Sequence, residues 1–422
     1  MKKWIITGIA LLLAAGLCGC DFISELKAQN SQSRAYTERV QRDKLKKTYK
    51  GKGYACLKTS DEQDAYAAID IAARSLESES FDIKNGSAFD NFGYILEFYK
   101  NDNPYVFWIK DDAPYNYVDK DDKVTIELEF KASGDELAEQ KKKLDNAIKK
   151  AVDGAPKDPG TSTYAMELYI NDYIVDNCEF DEDAAELHKK KKIRGHEQDV
   201  YGALVEGKAV CEGYARAFSL LCRRLGVECS LIEGYASEKN ENTGKIEREA
   251  HIWNCVQLAG NWYHTDVTWN DDTSGEFADV YSRRYYYLNL TTKEIARDHE
   301  ISPLYGEELN GGDFYNEFIP ECKSTDYNYF RLNCPVLSDF NNPEDVVSGL
   351  AAAASKGEKY FDFLLNANMD FSETKSKIAG SEGYEWIKEA NGRNKNSPKL
   401  GDKCSLFAFE ERRLVTFLLK YS

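Results

Sequence analysis

Gly207-Lys208-Ala209-Val210-Cys211-Glu212-Gly213-Tyr214-Ala215-Arg216-Ala217-Phe218 decides the fold when read with two later stretches, His251-Ile252-Trp253-Asn254-Cys255-Val256-Gln257-Leu258 and Trp262-Tyr263-His264-Thr265-Asp266-Val267-Thr268-Trp269. From Cys211 the positions Tyr214, Ala215, Phe218, Leu221, Cys222 and Leu225 recur at helical spacing, and Gly226 supplies a stop. The spacing predicts a helix that begins at Cys211. Free amides and the helix dipole at that end favour a thiolate, the form a cysteine nucleophile needs. Between the two later stretches, Ala259-Gly260 reads as a two-residue hairpin turn. Leu258 then faces Asn261 and Trp253 faces Asp266, so His251 lies on the sheet face of Asp266 as a diagonal neighbour, about 7–8 Å away. An imidazole beside a carboxylate is held in one tautomer and stabilised when protonated. Cys211 is therefore the candidate nucleophile, His251 the base and Asp266 its orienter.

The order Cys-Glu-Gly-Tyr-Ala, His-x-Trp-Asn, Trp-Tyr-x-x-Asp-x-Thr-Trp, carried by Cys211 to Ala215, His251 to Asn254 and Trp262 to Trp269, resembles the transglutaminase-like superfamily. The resemblance covers about residues 163–300, with Tyr201-Gly202-Ala203-Leu204 upstream and His299 downstream at suitable distances. It implies a papain-like α+β core and acyl transfer through a thioester, as in transglutaminases, peptidases and peptide amidases. It also favours His251 over His264 as the base, although His264 falls on the same sheet face as Asp266. Tyr201 is a candidate for polarising the oxyanion beside the Cys211 amide, and Trp253 and Trp269 are candidates for lining the substrate; for all three, core packing is the commoner use of an aromatic.

The chain opens Met1-Lys2-Lys3, is apolar from Trp4 to Leu17, and reaches Leu17-Cys18-Gly19-Cys20. Two lysines ahead of an apolar stretch shorter than the roughly 18 residues of a spanning helix mark an export signal. Leu-x-Gly-Cys resembles the bacterial lipobox, which implies lipidation of Cys20 and an anchored, extracytoplasmic protein at the cell membrane or surface. Residues 20–50, rich in Lys, Arg, Gln and Ser, read as a tether.

With 72 acidic against 55 basic residues the formal net charge is −17, which excludes the basic footprint that nucleic acid or an anionic membrane face requires. A peptide or protein substrate is the expected partner; the oligomeric state is not legible. Eleven cysteines are present; after Cys18, Cys20 and Cys211 are set aside, the remaining eight show no tight repeated spacing and read equally as disulfides or as small buried hydrophobes. Neither Cys-x-x-Cys nor Asp-x-Asp-x-Asp-Gly occurs, so no metal or other cofactor is expected.

Outside the core, the patterns predict a helix at Asp64 to Leu76, strands at Gly93 to Tyr99, Tyr105 to Ile109 and Val124 to Phe130, and a helix at about Gly134 to Val152. Ala155-Pro156-Lys157-Asp158-Pro159-Gly160 breaks the chain. Met166, Tyr169, Ile170, Tyr173 and Ile174 form the stripe of a half-buried helix, and Asp181 to Gln198 reads as a solvated loop. Further on, Asn342 is the expected cap of a helix running toward Leu365, followed by a helix at Ser372 to Ala390 and strands at Cys404 to Glu410 and Arg413 to Tyr421. The expected organisation is a signal peptide (1–19), a tether (20–50), an α+β domain (51–157), a transglutaminase-like catalytic domain (158–305) and a second small α+β domain (306–422). The expected class is thus α+β, with a papain-like transglutaminase core between two smaller α+β domains. The expected activity is a thiol peptidase or amidase, against the alternatives of a cross-linking transglutaminase or a non-catalytic surface protein.

Overall fold

Apolar residues at helical and at alternating spacing build two compact units, Tyr99 and earlier with Tyr115–Leu128, and Lys100–Pro114 with Glu129–Ser422. The computed structural model describes residues 42–422 apart from 48, 76–79, 112–113, 121, 159, 191, 194, 240–243, 272–280, 302–318, 396–397 and 402–403. The expected signal peptide, Cys20 and most of the tether lie outside the described residues. Among the described residues no helix is long and apolar enough to cross a membrane.

In the first unit, helix α1 (Ser60–Ser75) packs on a three-stranded antiparallel sheet. Its strands are β1 (Ser80–Lys84), β2 (Tyr115–Lys120) and β3 (Lys123–Leu128), with β3 central. Gly93 to Tyr99, expected as a strand, belongs to helix α2 (Phe92–Asp102). Phe92, Ile95, Leu96 and Tyr99 are all buried, a helical stripe hidden in an aromatic-rich run that is too short to read by period alone. Tyr105 to Ile109 in the second unit is likewise no strand; it makes only a bridge from Ile109 to Phe130.

In the second unit, α3 (Gly134–Gly154), α4 (Thr163–Asn177), α5 (Glu182–His188) and α6 (Cys211–Leu225) precede strands β4 (Glu228–Lys239), β5 (Ile246–Leu258), β6 (Asn261–Thr265) and β7 (His299–Ile301). The sheet order is β6-β5-β4-β7, antiparallel throughout. Val256, Leu258 and Tyr263 share a core with Tyr214, Phe218 and Leu221 of α6 and Ile170 and Ile174 of α4. Trp253, Cys255 and Ile232 join another with Tyr287, Leu288 and Phe330. The alternation along β5 is what assigns these residues to two cores. The segment Asp181 to Gln198, expected as a loop, contains α5. The Asp181 carboxylate accepts the Ala184 amide at 3.0 Å, a cap that makes a short helix worthwhile.

The chain ends in strands β8 (Val336–Leu337), β9 (Tyr360–Leu365), β10 (Ser405–Phe409) and β11 (Leu414–Leu418), in the order β8-β9-β11-β10, with helices α7 (Glu344–Lys356), α8 (Phe371–Ile378) and α9 (Ser381–Arg393). The helix expected to reach Leu365 stops at Lys356, because Gly357 adopts φ 69° and closes it. Tyr360–Leu365 then alternates half-buried and buried as a strand. Pro343 rather than Asn342 is the capping position, and no side chain caps this helix. The single helix expected at Ser372 to Ala390 is two, α8 and α9, divided at Ala379-Gly380.

Candidate active site

The site begins where a strand-like approach turns into α6. Val210 is extended, with φ −97° and ψ −179°, and the first helical bond runs from the Tyr214 amide to the Val210 carbonyl at 3.2 Å. The Val210 amide donates to the Glu197 carbonyl at 2.8 Å, tying the helix start to the preceding loop. Gly213 lets that loop approach: a Cβ there would sit 2.6 Å from the Ala209 Cβ and 2.8 Å from the Glu197 carbonyl oxygen. Cys211 is thus the first residue of the helix, half-buried, beside amides that no intrahelical carbonyl satisfies.

The hairpin between β5 and β6 has two residues, Ala259 and Gly260, both at positive φ (47° and 87°), the twist that a two-residue turn needs. Leu258 pairs with Asn261 and Asn254 with Thr265. That register carries Asp266, the residue after β6, up to His251, whose Nε2 lies 2.7 Å from Asp266 Oδ2. Asp266 also caps the short helix Val267–Asn270: its Oδ1 accepts the amides of Thr268 at 2.9 Å and Trp269 at 3.1 Å. The second carboxylate oxygen is shared. His299, on β7, places its Nε2 3.0 Å from Asp266 Oδ2, while its Nδ1 lies 2.6 Å from Asp298 Oδ1. The sequence had offered His299 only as a weak downstream feature, without a role; a role needs the β4–β7 pairing, which no local pattern announces.

Electrostatics follow from these contacts. Burial disfavours a charged His251, but the Asp266 charge, its hydrogen bond, and interaction with the Cys211 side chain outweigh that and raise the His251 pKa to about 10. Burial would raise Asp266, yet the charges and hydrogen bonds of His251 and His299 hold it well below the usual carboxylate range. One layer beneath, Glu167 accepts Thr265 Oγ1 at 3.0 Å and Asn289 Nδ2 at 2.8 Å. Burial lifts it to about 7 against those hydrogen bonds.

His251 is also hydrogen-bonded to the Cys211 side chain, so a half-buried sulfur, a buried imidazole and a buried carboxylate follow one another. Residues 148–267 match the Transglutaminase-like superfamily. They form a transglutaminase-like domain. Over 120 residues the chain is 30% identical to kyphoscoliosis peptidase of Mus musculus, covering 27% of this chain and 17% of that one. Over 85 residues it is 34% identical to kyphoscoliosis peptidase of Homo sapiens, covering 19% of this chain and 13% of that one. The chain therefore spans only a small part of the length of these curated relatives. A solved structure described as a TGase is 12% identical and covers 46% of this chain and 52% of its own, with a TM-score of 0.26, too low to carry an argument.

The transglutaminase-like domain holds a second cysteine–histidine pair, Cys255 Sγ and His264 Nδ1, 3.1 Å apart. Both side chains are fully buried, whereas Cys211 is half-buried. Trp253 is buried as well: its ring lies nearly parallel to His251 at 6.0 Å and its Nε1 donates to His264 Nδ1 at 3.1 Å. Its place is a wall behind the base. Trp269 is half-buried, 5.9 Å from His251 and 4.6 Å from His299. Tyr201 stacks on Phe107 at 5.2 Å and abuts His196 at 4.6 Å. Among the described residues, two buried groups offer three side chains each that could hold a metal ion, with ligand atoms within 4.8 Å of one another: His251, Asp266 and His299, and Cys255, His264 and Cys322.

Proposed function

We propose that this protein is a thiol hydrolase of the peptidase or amidase type, with Cys211 as nucleophile, His251 as acid and base and Asp266 as orienter. The observation that carries the reading is His251 held between the Asp266 carboxylate, 2.7 Å away, and the Cys211 side chain at a helix N-terminus. The Cys211 sulfur attacks an amide carbonyl, the C–N bond breaks, and the protonated His251 gives its proton to the departing amine. Water then attacks the thioester, His251 takes up its proton, and the C–S bond breaks to release the acid and restore Cys211. Asp266 holds the ring through both steps, and the half-buried Trp269 is the aromatic that the substrate would meet beside His251. Tyr201 keeps a supporting part at most, given its packing on Phe107. The chemistry needs no cofactor.

The same reading places the protein outside the cytoplasm, exported by residues 1–19 and anchored to the membrane by lipid on Cys20, with peptides or peptide-linked polymers as substrates and α+β domains at 51–157 and 306–422 flanking the core. Hydrolysis is favoured over cross-linking because the lysine-rich segment ahead of Cys211 offers no apolar channel for a second amine. The test is a peptide-library digest comparing wild type with Cys211→Ala, run with a fluorescent primary amine present. Cleavage that depends on Cys211 and yields free acid supports the proposal. Cys211-dependent amide product in excess of acid at millimolar amine would make the protein a cross-linking enzyme, and no Cys211-dependent product of either kind would leave a binding protein.

A further inference from the structure

The geometry points to a disulfide between Cys255 and Cys322, formed by exchange with an external disulfide and pinning the segment around Cys322 onto the catalytic sheet. Their sulfurs lie 3.9 Å apart, and the side chains are 0% and 2% exposed. Closing to the roughly 2.05 Å of an S–S bond brings the two sulfurs about 2 Å nearer. Both backbones are already fixed. Cys255 is the direct cross-strand partner of His264 in the β5–β6 ladder. Cys322 is clipped to Thr292 twice, its amide donating to Thr292 Oγ1 at 3.0 Å and its carbonyl accepting the Thr292 amide at 2.8 Å.

His264 argues for the disulfide over a bound metal. Trp253 Nε1–H can only donate, and it lies 3.1 Å from His264 Nδ1. The network therefore assigns Nδ1 as an acceptor and the ring hydrogen to Nε2, which faces Thr292 Oγ1 at 3.3 Å. The lone pair that a metal would need is thus already taken. In the dithiol state the Cys255 S–H competes with the Trp253 N–H for that same lone pair, at 3.1 Å. Oxidation removes the competing donor and leaves Trp253 as its partner, which also steadies the wall behind His251.

The steps balance. The Cys322 sulfur, on a residue only 2% exposed, meets an external disulfide when the structure opens locally, attacks it as a thiolate and releases one thiol. Cys255, its proton lost to solvent in the same open state, attacks the Cys322 sulfur of the mixed disulfide and releases the second thiol. Two protein thiols are oxidised and the external disulfide is reduced to two thiols.

The test uses the wild-type chain, equilibrated with oxidised glutathione, denatured in an alkylating reagent without reductant, digested and read by mass spectrometry. The expected result is a Cys255 peptide joined to a Cys322 peptide, separated only by reductant, with Cys211 either alkylated or in a glutathione adduct. Melting should also be higher before than after reduction, by roughly 5–10 °C, as expected when a bond closes a long loop, and Cys322→Ser should lose that difference. Alkylation of both Cys255 and Cys322 overturns the proposal, and stoichiometric zinc in protein purified without chelator, lost in Cys322→Ser, replaces it with a metal site. Peptide cleavage by the reduced protein, read separately, reports on Cys211 and not on this bond.

Discussion

Asp111 and Asp266 of the second unit both hold their carboxylates out of water among positive partners, and the partners differ. Asp111 meets Lys100 at 2.9 Å, Arg216 at 3.8 Å and the Lys131 ammonium, which also reaches Asp199 at 2.6 Å. Asp266 meets His251 at 2.7 Å and His299 at 3.0 Å. Burial works against the charge on each, and each is nonetheless held well below the usual carboxylate range by its cations. The difference lies in the partners. Lysine and arginine keep their protons at every working pH, so the Asp111 cluster is a fixed clamp on α6, through Arg216. Histidine can give its proton up and take it back, so under the proposed mechanism the same kind of buried carboxylate takes part in a reaction when its partner is His251.

The largest effect that separates the two is at the sulfur: Cys211→Ala should lower peptide hydrolysis by at least about 10⁴-fold with thermal melting unchanged. Residual turnover near wild type would transfer the nucleophile's role elsewhere. Next, Asp266→Asn should cut kcat by roughly 10²–10⁴-fold while the protein still melts cooperatively. Asp111→Asn should instead cost about 3–5 kcal/mol in denaturant unfolding with kcat per folded molecule retained. If Asp111→Asn proved as damaging to kcat as Asp266→Asn, the division between clamp and reactor would fail.

A pH series sharpens the contrast. His251 is raised in the folded state, so its contribution to stability is complete below the ordinary histidine value of about 6.5 and is lost as pH rises through about 10. Activity that uses its proton should fall over the same upper limb, and the limb should move to lower pH in Asp266→Asn. Asp111 is depressed, so its contribution is present above the ordinary aspartate value of about 3.9 and is lost as pH falls below it. Chemical denaturation at stepped pH reads both. The smallest effect is Gly213→Ala, which crowds Ala209 and the Glu197 carbonyl and should cost about 1–3 kcal/mol, with kcat reduced because the start of α6 is displaced.

The site was legible where its geometry is local. A helical stripe with Gly226 at its end located Cys211, and period-two alternation across a two-residue turn set His251 against Asp266. Where placement depends on distant pairing the sequence was silent: His299 reaches Asp266 only through the β4–β7 ladder, and Cys322 reaches Cys255 across 67 residues. The flanks misled for a different reason. Gly93 to Tyr99 is rich in residues that suit strands yet lies in a helix with a buried stripe, and Gly357 ends a helix just before the apolar run of β9.

Asp266 receives four hydrogen bonds, two from backbone amides and two from imidazoles, on a side chain with no exposure to water. In water a carboxylate answers a change in charge nearby by turning its solvent shell, and that turning adds to every barrier. Here the dipoles are set in place when the chain folds and have nowhere to turn. Under the proposed mechanism the surroundings of Asp266 stay fixed as the proton leaves His251 and returns, so the cost of reorganisation is met once per folding event rather than once per turnover.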